Sequence, residues 1–167
     1  MNRFWSPTVR GLSPYVPGEQ PKVAQLIKLN TNEHPLPPSQ HALAAIAKMS
    51  ADALRRYPDP DSTELREVIA ANEGLTINSV FTGNGSDEVL AHVFSALLGS
   101  NASFAIPDIT YSFYPVWAKL YQLQCDTVPL LEDFSIDLHA LATQPAPILL
   151  ANPNAPTGIA LSLQELA

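Results

Sequence analysis

Four stretches of the 167-residue sequence combine residue types that can do chemistry. The first is TGNGSDE, Thr82 to Glu88, which follows a short segment of strand character and opens a helical one. Gly83 and Gly85 let the backbone approach a ligand closely. The free N–H groups of a helix's first turn, with the positive end of its dipole, suit a phosphate. No Gly-Lys-Ser/Thr follows, which excludes a Walker loop, and Glu88 stands where a dinucleotide fingerprint needs its third glycine. The same residues also make an ordinary turn in which Ser86 caps the helix and Asp87 and Glu88 complement its dipole.

The second stretch is NPNAPTG, Asn152 to Gly158, after the apolar run ILLA. Pro153 and Pro156 fix φ and Gly158 permits a left-handed turn, so the amides of Asn152 and Asn154 stand on a stiff loop. Such an amide can hydrogen-bond a phenolate-like oxygen, or simply serve the turn. The third is Thr110-Tyr111, where an aromatic ring at a helix start can stack on a flat heterocycle or pack among Phe113, Tyr114 and Trp117. The fourth is RRYPDP, Arg55 to Pro60, a basic and aromatic corner that can rest against a phosphate or stay solvated.

Other chemistries are poorly supplied. His34, His41, His92 and His139 have no partners at metal-ligand spacing. There is no G-x-S-x-G elbow, and the single cysteine, Cys125, lies in a strand-like LQCDTV that reads as core.

The elements that must position these loops follow from periodicity. Ser39 caps a helix carrying Leu43 and Ile46, and Asp61 with Glu64 in capping-box positions opens another through Leu65, Val68 and Ile69. Ser86 caps the strongest, with Val89, Leu90, Val93, Phe94, Leu97 and Leu98 in one stripe ended by Gly99. A helix is expected over Tyr111 to Tyr121, a weaker one over Leu138 to Thr143, and an interrupted one in LSLQELA. Strands are expected at Leu26 to Leu29, Ile77 to Thr82, Ala102 to Ile106, Gln124 to Val128 and Ile148 to Ala151. The alternation implies an α/β fold, a mainly parallel sheet with helices on both faces. Ligands then sit beyond the carboxyl ends of the strands, the edge where GNGSDE and NPNAPTG both fall. Residues 1–38 read as an extended arm and 39–167 as the domain.

Composition narrows the partners. Nine Lys+Arg against 16 Asp+Glu give a formal charge of −7, which offers no basic face to a nucleic-acid backbone. VLAHVFSALLG is too short to span a membrane, the first residues lack the apolar core of a secretory signal, and one cysteine fits a reducing compartment. A cytoplasmic protein is expected. The 16 prolines punctuate elements rather than form a linker.

Taken in order, PYVPGEQ (Pro14 to Gln20), KLNTNEHP (Lys28 to Pro35), RYPDP, GNGSDE, TYSFY (Thr110 to Tyr114) and NPNAPTG resemble the N-terminal half of the histidinol-phosphate aminotransferases. The resemblance runs the length of the chain. It implies pyridoxal 5′-phosphate as cofactor, part of the large domain of the aspartate-aminotransferase architecture (fold type I), and a homodimer with sites at the interface. It implies that Gly85, Ser86 and Asp87 bind the cofactor phosphate through their backbone and that Tyr111 stacks on the pyridine ring. Tyr57 would reach the phosphate of the partner subunit's cofactor, and Tyr15 would lie near substrate. Ala155 stands directly before Pro-Thr-Gly where many relatives carry Asn, so the contact to the ring O3′ falls to Asn154 by a shift of one. His34 likewise stands where many relatives have Asn or Tyr.

The family reaction moves an amino group between glutamate and imidazole acetol phosphate, giving histidinol phosphate and 2-oxoglutarate. It needs a lysine to hold the cofactor and shuttle the Cα proton, and a carboxylate near the pyridine nitrogen. In the resemblance both fall after NPNAPTG. Lys22, Lys28, Lys48 and Lys119 match none of the family's lysine motifs. The expectation is a truncated chain, inactive alone, with exposed strand edges and apolar helix faces. Two alternatives stay open: a non-catalytic phosphate-binding or dimer-forming remnant, and a related aminotransferase of another substrate.

Overall fold

Alternation along one short strand organises the part of the molecule that carries the chemical loops. The computed structural model describes residues 3–13, 18–19, 21–23, 25–99 and 102–167. Strand β1 (Ser103–Pro107) pairs in parallel with β2 (Gln124–Val128), Ser103 opposite Gln124 and Pro107 opposite Val128. On its other side Ala105 forms a parallel bridge to Ile148, its N–H donating to the Pro147 carbonyl at 2.8 Å and its carbonyl accepting from Leu149 N–H at 2.9 Å. Successive side chains of a strand point to opposite faces. Phe104 and Ile106 accordingly enter one apolar cluster with Phe94, Tyr114, Ala118 and Leu123, while Ala105 enters a second with Val128, Ile136 and Leu141. A strand buried on both faces reads as an unbroken apolar run, as SFAIP does.

Helices supply both covers, in agreement with the expected α/β architecture. Helix α5 (Ser86–Val93) continues into a π-helical turn, Phe94–Leu98, and stops at Gly99, φ 65°. Helix α6 (Tyr114–Tyr121) packs on the same cluster. Phe94 meets Phe104 edge-on, centroids 5.2 Å apart, and lies parallel to Tyr121 at 6.4 Å. The first geometry places a ring edge against a π face, and the second sets two ring planes parallel. Helix α7 (Leu138–Ala142) brings Leu141 to the second cluster and is capped by Asp137, whose carboxylate accepts from Ala140 N–H at 2.9 Å. Near the start of the chain, α1 (Pro7–Arg10) docks on α6, where Lys119 Nζ donates to the Gly11 carbonyl. Close to its end, α8 (Leu163–Leu166) opens with a complete Ser162/Glu165 capping box.

Packing divides the chain into two units, Met1–Tyr15 with Asn84–Ala167, and Val16–Gly83. The second unit holds α2 (Gln40–Ala47), α3 (Ala51–Leu54) and α4 (Thr63–Glu73). Ser39 caps α2 as expected, accepting from Ala42 N–H at 3.2 Å, and Ser50 does the same for α3, a helix the periodicity did not reveal. Arg66 ties α4 to the following loop through the carbonyls of Val80 (2.8 Å) and Ile77 (2.9 Å).

Several expected boundaries move. Leu26 to Leu29 forms no strand, and Ile77–Ser79 is a 3₁₀ turn followed by extended Val80. Arg66 consumes carbonyls there that a sheet ladder would need. The segment from Ile148 contributes a single bridge. Helix α6 begins three residues later than Tyr111, because Tyr111 is held in the preceding loop. The expected Asp61/Glu64 box is replaced by Asp59, whose carboxylate accepts from Asp61 N–H at 3.0 Å and Thr63 N–H at 2.8 Å, with Ser62 in a left-handed conformation at the cap.

Two outcomes follow. Phe104→Ala removes a fully buried ring and should cost about 3–5 kcal/mol, enough to unfold a marginal domain, read as a collapsed urea midpoint and lost near-ultraviolet dichroism. The bonds from Thr63, then Asp61, hold the Asp59 carboxyl below its ordinary 3.8. A depressed carboxyl stabilises above its ordinary range and loses that contribution as pH falls through the folded-state value. Asp59→Asn should therefore lower the midpoint at pH 7 and converge with wild type once the pH lies below that value.

Candidate functional site

The GNGSDE turn owes its shape to one glycine. Gly85 sits at φ 84°, ψ 173°, a combination essentially reserved for glycine, and occupies the N-cap of α5. Ser86 is the first helical residue rather than the expected cap, so no side chain caps α5. Having no side chain, Gly85 cannot supply one. The carboxylate of Glu88 reaches back instead to the N–H of Asn84, one residue before the cap. Gly85, Ser86 and Asp87 are all exposed. The first turn thus offers backbone donors and the positive end of the helix dipole to an incoming anionic group.

Two side-chain bonds of long sequence separation attach this turn to the other candidate loops. The Tyr111 hydroxyl donates to Asp87 Oδ1 at 2.9 Å, which fixes the far end of the ring against the helix start. The same ring meets Tyr114 edge-on at 5.4 Å. One residue earlier, Thr110 Oγ1 donates to Asn154 Oδ1 at 2.7 Å. Asn154 Nδ2 donates to the Ile109 carbonyl at 2.9 Å and makes a longer bond to Thr157 Oγ1 at 3.4 Å. Among the described residues Asn154 is the one buried polar side chain, 1% exposed. Its backbone is committed as well, N–H to the Ile159 carbonyl at 2.9 Å and carbonyl from Gly158 N–H at 2.7 Å.

The NPNAPTG loop is stiffened further by Asn152. Its amide exchanges two bonds with the backbone of Leu161, Nδ2 to carbonyl at 3.0 Å and Oδ1 from N–H at 2.8 Å, imitating a strand pair. The peptide bonds before Pro153 and Pro156 are cis. Gly158, at φ 75°, makes the turn that returns the chain to Asn154.

The structure therefore unites Gly85, Ser86, Asp87, Tyr111 and Asn154 in one hydrogen-bonded neighbourhood at the carboxyl end of β1. Tyr57 belongs to the other packing unit, where it is 100% exposed. Tyr15 lies outside the described residues. The basic corner is partly neutralised locally: Arg55 and Arg56 share one carboxylate, Asp52, a partner that spacing along RRYPDP did not include. Burial, with Asp126 nearby, raises the Cys125 thiol, which suits packing rather than nucleophilic attack. No group of three potential metal ligands occurs among the described residues, and none of their helices is long and apolar enough to cross a membrane.

Chemically, the neighbourhood is equipped to bind and orient. Its donors are backbone amides, its flat surface is the Tyr111 ring, and its amide and carboxylate side chains are already engaged.

Comparison with known proteins gives this arrangement a lineage. Residues 24–167 match the family model described as aminotransferase class I and II. The chain belongs to this aminotransferase family. It is 54% identical to histidinol-phosphate aminotransferase 1 of Burkholderia pseudomallei, over 99% of this chain and 48% of that protein. It is 52% identical to a histidinol-phosphate aminotransferase of Acinetobacter baumannii, over 98% of this chain and 46% of the other. The chain spans about half the length of the curated relatives it matches. Its fold matches that of the histidinol-phosphate aminotransferase from Sinorhizobium meliloti, solved in complex with pyridoxal 5′-phosphate, with a TM-score of 0.76 at 22% identity, over 93% of this chain and 44% of that one.

Within this aminotransferase chain, the loops are local motifs but the bonds between them are not. Thr110, Asn152 and the Asp87–Tyr111 pair act across 9 to 44 residues, beyond any local motif. Asn154→Ala should remove the part-buried bonds to the Ile109 carbonyl and Thr110 hydroxyl, at roughly 0.5–1.5 kcal/mol each. The check is a urea titration, with protease cleavage appearing in 152–158.

Proposed function

We propose that this chain provides the cofactor-phosphate cradle and ring contacts of a pyridoxal-phosphate-dependent histidinol-phosphate aminotransferase. The observation that carries the reading is the pair of bonds, Tyr111 to Asp87 and Thr110 to Asn154, that joins three motifs of that family at one strand edge. The open first turn at Gly85 fits a phosphate, and the ring of Tyr111 beside it fits a planar heterocycle. When bound, the cofactor supplies the electron sink for amino transfer.

In this reading the amides of Gly85, Ser86 and Asp87 hold the phosphate oxygens, and Tyr111 orients the ring through its face. The resemblance gives the ring O3′ contact to Asn154, but the residue is 1% exposed and its amide is bonded to Thr110, Ile109 and Thr157, so in this reading it holds the loop of Tyr111 instead. Tyr57, exposed on the other unit, serves the cofactor of a second subunit in a homodimer, and Tyr15 contacts substrate. Residues 1–38 form the arm and 39–167 part of the large domain, in a cytoplasmic enzyme. The substrates are histidinol phosphate and 2-oxoglutarate on one side, imidazole acetol phosphate and glutamate on the other. The 167 residues alone bind the cofactor reversibly and do not turn it over.

A second reading, a non-catalytic phosphate-binding or dimer-forming domain, is favoured by the engagement of two of the four lysines: Lys28 pairs with Glu33, and Lys119 holds Gly11.

One experiment tests the proposal. The purified chain should bind pyridoxal 5′-phosphate reversibly, leave no lysine adduct by mass after borohydride reduction, and show no transamination. Gly85→Ala, forced into a backbone region costing about 1–3 kcal/mol for a residue with Cβ, should weaken binding at least several-fold. Unchanged affinity in that variant would sink the cradle assignment.

A further inference from the structure

Tyr111 is pinned at two ends. Its hydroxyl is bonded to Asp87 at 2.9 Å, and the backbone that enters it is bonded through Thr110 Oγ1 to Asn154 Oδ1 at 2.7 Å and through the Ile109 carbonyl to Asn154 Nδ2 at 2.9 Å. Thr110 supplies the side-chain bond of this pinning. It attaches the residue preceding the ring to the NPNAPTG loop. The Ile109 carbonyl, which can only accept, settles which way round the Asn154 amide lies, and the Thr110 hydroxyl then donates to Oδ1. A flipped amide would set an NH₂ group against Thr110 and a carbonyl oxygen against the Ile109 carbonyl, a repulsive pairing inside a site that is 1% exposed.

We infer that Thr110 is a positioning residue for the cofactor ring: it sets the place of Tyr111, through its bond to the Asn154 amide, without touching the ligand. This rests on the cofactor reading above. The phosphate cradle at Gly85 to Asp87 stands on a different element, the start of α5, so the two parts of the ligand should respond differently to loss of the Thr110 hydroxyl.

That difference is the test. Pyridoxamine 5′-phosphate, which does not condense with lysines, probes phosphate and ring together, and inorganic phosphate probes the cradle alone. Thr110→Val keeps the shape and deletes the hydroxyl, while Thr110→Ser keeps the hydroxyl. In the 167-residue chain, Thr110→Val should weaken pyridoxamine 5′-phosphate several-fold, up to about tenfold, the range of a lost aromatic contact. It should leave the inorganic phosphate constant within twofold, and Thr110→Ser should restore the first value. Near-ultraviolet dichroism identifies the folded variants. Should Thr110→Val not fold, the serine variant decides: near-wild-type affinity for both probes supports the inference, and loss of ring-dependent affinity despite the retained hydroxyl overturns it. Equal weakening of both probes in folded Thr110→Val, or no weakening of either, overturns it too. If wild type binds phosphate but gains nothing from the ring, the ring-positioning role fails and the cradle stands. If wild type binds neither probe, the cofactor reading itself falls, and the inference with it.

Discussion

The buried amide of Asn154 is the constraint on which the candidate site depends. A primary amide deep in a protein must satisfy an acceptor and two donor hydrogens or lose free energy for each orphan. Here that requirement is met only by residues from another loop, Ile109 and Thr110, together with Thr157 of its own. Satisfying one side chain thus fixes the relative position of two loops that are 44 residues apart in sequence. An apolar side chain of similar volume would fill the space without specifying an orientation. The amide allows one arrangement, and the ring at Tyr111 inherits it.

The core makes this worthwhile. Because β1 is buried on both faces, its end is a rigid platform, and the loop leaving it starts from a defined point. Pro107 closes the strand, Asp108 N–H bonds back to the Val128 carbonyl at 2.9 Å, and the Asp108 carboxylate accepts from Leu130 N–H at 2.9 Å. Only then does the chain reach Ile109 to Tyr111. Aromatic packing of Phe94, Phe104 and Tyr121 steadies the opposite end of the same arrangement, since Phe94 continues the helix that begins at Gly85. The first turn of α5 and the loop after β1 are therefore anchored to one apolar cluster.

How much of this was legible depended on range. Ser39 capping α2, the β2 segment and the loops carrying Gly85 and Asn154 follow from local pattern and appear where expected, and β1 lies one residue later. Of the stripe expected in one helix, Phe94 is buried while Leu97 is exposed, because α5 ends at Val93 and a π-helical turn follows. Residue type favours Ser86 as the cap, whereas the backbone there needs φ 84°, which selects Gly85. The strand expected at Ile77 failed because Arg66, eleven residues away, takes its carbonyl. Periodicity contains no information on such a competitor. The Tyr111–Asp87 and Thr110–Asn154 bonds are tertiary, and spacing alone could not have paired them.

Electrostatics adds a final step. The turn at Gly85 carries Asp87 and Glu88 in its first helical turn, and both would repel a dianion if their carboxylates faced it freely. Neither is free: Asp87 accepts the Tyr111 hydroxyl, and Glu88 accepts the Asn84 N–H. These bonds direct the acidic oxygens to specific partners while the backbone donors follow the helix axis. The acids then favour the helix through its dipole without closing the turn to an anion. Such a cradle draws its attraction from amides and a partial charge, with no lysine or arginine among the partners described for it. On the proposed function, phosphate alone would be held weakly there, and recognition would rest on the Tyr111 ring and on the Asn154 staple that fixes the loop from which it projects.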